Sequence, residues 1–405
     1  MRIIYFHQYF TTPEGAAGTR SYEMAKALMK RGHNVVIVCG SAGRGVTGIS
    51  TPFHRGIRRG VYEGIEIVEL DLSYSNSDGL LRRTAAFARF AVRGALLALT
   101  ERYDVIFATT TPLTAGIPGI LGRWLRGKPF VFEVRDLWPE LPRAMGVVSN
   151  PFVLKAMAAL EWASYRSANF LIALAPGIVT GISRCGVPES RIALIPNGCD
   201  VSLLTSTSPW RPPGVGEDEL LAVFCGAHGI ANGLDAVLDA AAALRATPSA
   251  RVRIVLVGEG KLKQRLQERA RAEGLDNVLF MAPMSKRKLA GLLSASDVGL
   301  QVLANVPAFY YGTSPNKFFD YLACGLPVLI NYPGWLADVV HESACGYAVP
   351  PSDPVAFANA LIDAASRRAD LDDMGVRSRR LAEGQFNRSV LASRFADAIE
   401  RVACP

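Results

Sequence analysis

Short apolar runs alternate with helical hydrophobic patterns through the first half of the chain. Arg2–His7, Val35–Cys39, Ile65–Leu70, Val105–Ala108, Phe130–Val134, Phe170–Leu174 and Arg191–Ile195 read as strands. Thr19–Arg31, closed by Gly32, reads as a helix, as do Arg82–Thr100, much of Pro112–Leu125, and Pro151–Ser167. Strands alternating with helices predict a parallel sheet covered on both faces. The periodicity stops after Asp200, where residues 202–219 are rich in Ser, Thr, Pro, Gly and acid and read as a linker. It then restarts. Leu220–Cys225, Arg253–Val257, Val278–Met281 and Val298–Val302 are predicted strands, and Gly233–Arg245, Lys261–Glu273 and Lys286–Ser294 predicted helices. Val328–Asn331, Leu336–Glu342, Gly346–Val349 and Pro354–Ser366 complete this second unit, and a helix near Ser389–Val402 closes the chain.

The expected architecture is therefore α/β, with two doubly wound parallel-sheet domains. Such sheets bind ligands beyond the C-terminal ends of their strands, and two of them create a cleft. The 405 residues allow a large core in each. Half of the residues are hydrophobic and 20% are charged, which marks a globular chain. The cysteines stand singly, without metal-ligand or redox spacing, and predict reduced thiols in a cytosolic protein. MRIIYF runs straight into a strand, so a secretory signal is not expected. The uncharged run from Val105 to Gly122 is broken by Pro112, Gly116, Pro118 and Gly119, and reads as strand, turn and helix start instead of a membrane span.

The net charge of +8 sits wholly in the first half: residues 1–200 hold 23 Lys/Arg against 15 Asp/Glu, and residues 201–405 hold 21 of each. A basic half suits an anionic surface or substrate, such as a membrane leaflet or a pyrophosphate, or solubility alone. No recognised nucleic-acid motif accompanies it. In the helix at 82–100, Arg82, Arg89 and Arg93 fall on one stripe with Phe87 and Phe90 off it. Exposed aromatics beside a basic stripe would suit a membrane surface; an ordinary solvated face fits the same pattern.

The stretch Tyr310–Val328, YYGTSPNKFFDYLACGLPV, carries the most chemistry. Ser314 suits an N-cap and Pro315 the first helical turn. Unpaired N–H groups at a helix start, with Lys317 beside them, make an anion site. Asp320 shares a face with Lys317 and could hold a sugar or ribose hydroxyl, or simply pair with the lysine.

Other strand ends hold further candidates. HQYFTTPEGAAGTR sets Gly15 and Gly18 around two alanines before a helix, with Glu14 and Arg20 alongside. Small residues there admit a ligand, or pack helix on strand. VFEVRDLWPE, at 131–140, ends a buried strand in Glu133, Arg135, Asp136 and Glu140. Asp136, at the turn, is the better candidate for a base or an acceptor-orienting carboxylate; Glu133 and Arg135 project to one side and could pair. IALIPNGCD, at 192–200, runs from strand into turn. FCGAHGIANGLDAVLDAA, at 224–241, surrounds His228 with glycines, including Gly226 and Gly229. This could be a phosphate or sugar loop, although a lone histidine in such a turn is more often a satisfied surface group. LVGEGKLKQRL, at 256–266, places Gly258 and Gly260 at a strand end before Lys261, Lys263 and Arg265, which also suit a solvated helix face.

Together, the first glycine loop, PNG-x-D at 196–200, VGEG at 257–260 and SPNK-x-x-D-Y-L-A-x-G-x-P-V at 314–328 resemble family 4 of the retaining glycosyltransferases, across essentially the whole chain. GAAGTRSYEMAKALMKRGHNV, VFEVRDLWPE and YYGTSPNKFFDYLACGLPVL are similar to a subgroup of bacterial O-antigen and capsule enzymes, which includes transferases of N-acetyl-fucosamine and related amino sugars from UDP donors. The resemblance implies the GT-B fold: two Rossmann-like domains facing a cleft. Residues 1–200 would bind the acceptor, 201–219 link, 220–385 bind the nucleotide sugar, and 386–405 return as a helix to the first domain. It also implies a retaining transfer from a UDP-sugar to a glycan or polyprenyl-diphosphate-linked acceptor, without cofactor, metal or nucleic acid. The place of work would be the cytoplasm, on the inner face of the cytoplasmic membrane.

Carried over by position, the family's second acid, on the ribose, falls on Asp320, and its first falls on Gly312. Sugar recognition then passes to Thr313, Ser314 or Asn316. The family's basic pair falls on Ala227 and Asn232, which leaves His228 nearby and Lys317 as the cation on the pyrophosphate. A histidine common in relatives is replaced by Arg135, followed by Asp136. The implied catalytic residues are Asp136, Lys317 and His228. The implied donor-binding residues are Gly226, Gly229, Gly258, Gly260, Thr313, Ser314, Asn316, Lys317 and Asp320, with Glu14, Gly15, Gly18, Arg20 and Arg135 on an acceptor or phosphate loop. Two other readings fit: a GT-B-fold UDP-sugar 2-epimerase, needing no acceptor, and a non-catalytic sugar-nucleotide-binding partner in polysaccharide assembly. A dehydrogenase is disfavoured, because neither domain opens with G-x-G-x-x-G.

Overall fold

A computed structural model describes residues 1–15, 18–41, 46–72, 80–205, 208–247 and 249–403. Ala16 and Ala17 of the first glycine loop lie outside the described residues. The chain divides into two compact units: Met1–Pro196 with Gly312–Ser314 and Ser389–Pro405, and Asn197–Tyr311 with Pro315–Arg388.

In chain order the first unit holds β1 (Arg2–Phe6), α1 (Arg20–Lys30), β2 (Asn34–Gly40), β3 (Ile57–Tyr62), β4 (Ile65–Leu70), α2 (Leu80–Thr100), β5 (Val105–Thr109), α3 (Gly116–Arg126), β6 (Phe130–Val134), α4 (Glu140–Ala144), α5 (Pro151–Ser167), β7 (Phe170–Ala173), α6 (Pro176–Arg184) and β8 (Ile192–Leu194). The second unit continues with α7 (Val201–Thr205), β9 (Leu220–Cys225), α8 (Asp235–Ala243), β10 (Val252–Val257), α9 (Lys263–Ala272), β11 (Val278–Met281), α10 (Lys286–Ser294), β12 (Val298–Gln301), α11 (Pro307–Tyr310), α12 (Asn316–Ala323), β13 (Val328–Ile330), α13 (Trp335–Glu342), β14 (Gly346–Ala348), α14 (Pro354–Ser366) and α15 (Arg368–Gly384). The last helix is α16 (Arg388–Ala403).

The first sheet runs β3-β4-β2-β1-β5-β6-β7-β8 and the second β11-β10-β9-β12-β13-β14. Every adjacent pair is parallel except β3 with β4. Both orders reverse direction beside a central strand, β1 and β9, and these reversals are where doubly wound sheets open a crevice. On one face of the first sheet, Ile3, Tyr5, Phe107 and Val131 pack with Tyr22 and Leu28 of α1 and with Leu391, Phe395 and Ile399 of α16. In the second unit Leu220, Phe224, Ile254 and Leu300 pack against Val237 and Leu238 of α8 and Phe357 and Leu361 of α14.

Some elements differ from the expectation. The loop before Ile65 contains β3, an antiparallel edge strand whose Arg58 pairs with buried Glu69 at 2.8 Å. Its Arg and Gly residues hide the strand in sequence, and the pairing partner creates it. The linker carries α7, and α4, α6 and α15 are additional helices. Phe90 is fully buried and Phe87 half-buried, so the aromatics of α2 are not an exposed pair beside its arginines. Arg93 of the stripe instead donates to Arg55 O (3.1 Å) and Gly56 O (2.7 Å), fastening the turn before β3. Among the described residues no helix is long and apolar enough to cross a membrane.

Candidate active site

At the reversal in the second sheet, the loop after β9 meets the start of α12. Lys317, in the first turn of α12, donates to Asn232 Oδ1 at 2.6 Å and lies 4.1 Å from the Phe224 ring centroid. Asn232 in turn donates to Ala227 O at 2.7 Å. A Cβ on Gly226 would stand 3.5 Å from Lys317 Nζ, so this glycine leaves the ammonium bordered by backbone. Burial pushes the Lys317 ammonium down to about 7. A half-buried cation with one neutral hydrogen-bond partner among the described residues is a poor structural element and a ready anion site.

His228 is fully buried, between the rings of Phe224 (6.3 Å) and Phe280 (6.0 Å). Neither ring nitrogen has a hydrogen-bond partner among the described residues. Burial, with Lys263 nearby, lowers it to about 4, so the imidazole is neutral near pH 7. The alternative of a satisfied surface histidine is thus excluded. Gly258 and Gly260 also have a different reason. A Cβ on Gly258 would meet Gly226 O at 1.8 Å, and one on Gly260 would meet His228 O at 2.3 Å. They let two strand-end loops touch; Gly229 has open space at its Cβ position. Lys263 is no solvated helix residue either: it donates to Gly258 O (2.9 Å) and Met281 O (3.2 Å), bracing the same loops.

Asp320 is buried and pairs with Lys286 Nζ at 3.1 Å, not with Lys317, whose side chain turns to Asn232. Ser314 does not cap α12. The helix starts at Asn316, and Pro315, extended at φ −73° and ψ 127°, holds the cap position with no side-chain bond. Asn316, Lys317 and Asp320 lie on α12 of the second unit, whereas Gly312, Thr313 and Ser314 group with the first.

In the first unit β1, β5 and β6 end side by side. Glu133, fully buried, accepts Arg20 Nε and Nη2 on Oε2 (2.9 and 2.7 Å) and Thr109 Oγ1 on Oε1 (2.7 Å). Arg20 also donates to Ile195 O (2.9 Å) and Pro196 O (2.8 Å). Glu133 therefore pairs with Arg20, not Arg135, and Arg20 is a buried strut and not a ligand-loop residue, because its guanidinium is directed inward and makes four hydrogen bonds there. Arg135 Nη1 lies 3.4 Å from His7 Nε2; burial and this guanidinium hold His7 well below its usual range, so its ring is neutral. Asp136 Oδ2 accepts Thr111 Oγ1 at 3.0 Å, and burial raises this carboxyl. Glu14 is exposed and accepts Tyr62 OH at 3.2 Å; a Cβ on Gly15 would strike Thr11 Oγ1 at 2.0 Å, so that glycine serves packing; Gly18 is exposed.

Residues 15–198 match the family model of a glycosyl transferase 4-like domain, and residues 219–367 that of glycosyl transferases group 1. The chain superposes on sucrose-phosphate synthase from Thermosynechococcus elongatus with a TM-score of 0.75 at 19% identity, covering 99% of this chain and 98% of that one. The chain is a GT-B glycosyltransferase. This glycosyltransferase is 22% identical over 336 residues to the probable glycosyltransferase WbjE of Pseudomonas aeruginosa, a match spanning 80% of this chain and 82% of its relative. Its fold is also that of Anabaena HepE, solved in complex with UDP-glucose, at a TM-score of 0.69 and 16% identity over 99% and 100% of the two chains.

The structure adds residues to the glycosyltransferase that the sequence left aside. Lys286 reaches Asp320 from the first turn of α10, which Ser285 caps through Lys288 N. His7 and Gln8 follow β1 as buried polar groups, and His7 Nδ1 and both Gln8 amide atoms have no partner among the described residues. The signal for them was a polar His-Gln pair ending an apolar strand. Asn232, in the loop after β9, holds Lys317.

Proposed function

We propose that this glycosyltransferase moves a sugar, an N-acetylated amino sugar, from a UDP-sugar to a glycan or polyprenyl-diphosphate-linked acceptor in cell-envelope polysaccharide synthesis. The observation that carries the reading is Lys317, a half-buried ammonium at a sheet reversal whose one hydrogen-bond partner among the described residues is a neutral amide. A donor diphosphate provides its counter-charge. As the glycosidic bond breaks, negative charge grows on the leaving diphosphate, and Lys317, the α12 start and the glycine turn at Gly226 and Gly229 stabilise it without a metal. Asp320, held by Lys286, accepts ribose hydroxyls. Neutral His228 and Asn316 offer hydrogen bonds to the sugar or phosphate, with Thr313 and Ser314 reading the sugar. In the first unit, Asp136 orients the acceptor hydroxyl beside Arg135 and His7.

The transfer retains configuration: the acceptor attacks on the leaving-group face, and the departing phosphate takes its proton, so no strong enzymic base is required. The Anabaena neighbour solved with UDP-glucose supports a UDP donor. A lipid-diphosphate acceptor places the enzyme at the inner face of the cytoplasmic membrane. A thermal-shift screen of UDP- and GDP-sugars tests the donor, since a bound donor raises stability by mass action. UDP-N-acetyl amino sugars are expected to give the largest rise; preferential stabilisation by GDP-sugars contradicts the reading. Unaltered transfer by Lys317→Ala and Asp320→Ala would remove the site assignment.

A further inference from the structure

In the first unit, α2 packs on α3 and α3 on α5. Glycines set the spacing: a Cβ on Gly94 of α2 would come within 2.9 Å of Pro118 of α3, and one on Gly116 of α3 within 2.5 Å of Ser164 of α5. The three helices thus form one continuous layer. Its outer side is apolar where water should meet polar groups. Val92 and Leu96 of α2, Trp124 and Leu125 of α3, and Phe152 and Trp162 of α5 are all exposed, Trp124 by 68% and Phe152 by 79%. Trp124 Nε1 donates to Ser167 Oγ at 2.9 Å, which brings this indole to the same end of α5 as Trp162. The layer is also strongly basic. It carries eight Lys and Arg residues (four on α2, two on α3, two on α5), of which Arg93 and Arg126 donate to backbone carbonyls, against a single acid, Glu161, which is buried. Arg123 and Arg166 lie 5.8 and 5.7 Å from the ring centroids of Trp124 and Trp162.

We propose that the α2–α3–α5 face rests on an anionic lipid surface, with Trp124, Trp162 and Phe152 at headgroup level. Exposed indoles suit the membrane–water interface, where an apolar ring and a polar N–H are both accommodated. Interleaved arginines pair with lipid phosphates, and without exposed acids nothing on these helices repels a negative leaflet. The buried Phe90 of α2 plays no part; the aromatic anchors come from α3 and α5. The proposal rests on the functional reading only for its purpose, access to a lipid-linked acceptor.

Flotation of the full chain with phosphatidylglycerol vesicles and with phosphatidylcholine vesicles tests it. Binding is expected to phosphatidylglycerol at low salt, to weaken as salt rises, and to be far weaker with phosphatidylcholine. Trp124→Ala with Trp162→Ala is expected to abolish most binding. Arg123→Glu with Arg166→Glu is expected to weaken it about fivefold or more per position. Val355→Ser with Val376→Ser, at exposed valines of the second unit, is expected to leave it intact. Melting temperatures confirm that each variant is folded, and the charge pair serves if the Trp pair is not. Wild-type protein that stays with neither vesicle, or both surface variants binding as wild type, overturns the proposal. So does a dimer in light scattering that the Trp pair dissolves, since a second copy would then cover the face. Transfer to a water-soluble glycan is read in parallel: lost flotation with transfer intact fails the surface alone, and flotation without transfer from any donor fails the functional reading alone.

Discussion

Arg20 and Lys317 each stand in the first turn of a helix at the C-terminal edge of a parallel sheet, and their surroundings are opposite. Arg20 is 4% exposed and engages Glu133 and two carbonyls. Lys317 has an amide oxygen and a ring, and its ammonium falls to about 7. A buried charge paired with a carboxylate holds a fold together; one met only by a neutral amide suits a ligand. The first unit's buried cation is tied into its strand ends through Glu133, although His7 and Gln8 beside it have ring and amide atoms without partners among the described residues. The second unit's half-buried cation, Lys317, meets a neutral amide and stands near His228, also unpartnered among those residues.

The largest expected effect that could break this contrast is on stability. Arg20→Ala leaves Glu133 buried and unpaired, and is expected to cost about 3–5 kcal/mol in urea unfolding, with UDP binding by the folded fraction little changed. Lost UDP binding at unchanged stability would place Arg20 with the ligand residues. Lys317→Ala should do the reverse, lowering kcat by about 100–1,000-fold. Its melting temperature near pH 7 should hold or rise, because a lysine with a lowered folded-state pKa disfavours the fold wherever the unfolded chain would be protonated. Gly260→Ala forces a side chain onto His228 O, and is expected to destabilise by about 1–3 kcal/mol and to weaken UDP binding through the displaced loop. Asn232→Ala removes the hydrogen bond that positions Lys317, and should weaken UDP by about 1 kcal/mol in calorimetric titration.

The sheets were the most legible part of the sequence. β4, β6, β9 and β11 begin and end where their apolar runs predict, since a short run rich in β-branched and aromatic residues between helical patterns has few other readings. β3 and α15 were not legible. β3 exists through its pairing with β4, and α15 is polar over most of its length, so neither shows a clean period. At the site, Lys317 was legible because a first-turn lysine after Ser-Pro-Asn is a local feature. Its partner Asn232 stands 85 residues away, and Lys286 reaches Asp320 from a different helix. Pairs of that separation leave no local pattern. The same limit explains Arg20: a helix-start arginine after a glycine loop looks identical in sequence whether it meets a ligand or Glu133.

The central claim is that Lys317 receives the donor diphosphate, and the pH dependence of UDP binding tests it most directly. Pairing with a diphosphate raises the lysine's pKa above its free value of about 7. Above that pH the free side chain is neutral and must take up a proton to bind, so affinity should fall as pH rises. Calorimetric titration from about pH 7 to about pH 9 should show UDP weakening by up to about tenfold per pH unit with proton uptake, and a flat profile in Lys317→Ala. A flat wild-type profile, or the same slope in the variant, would contradict the assignment.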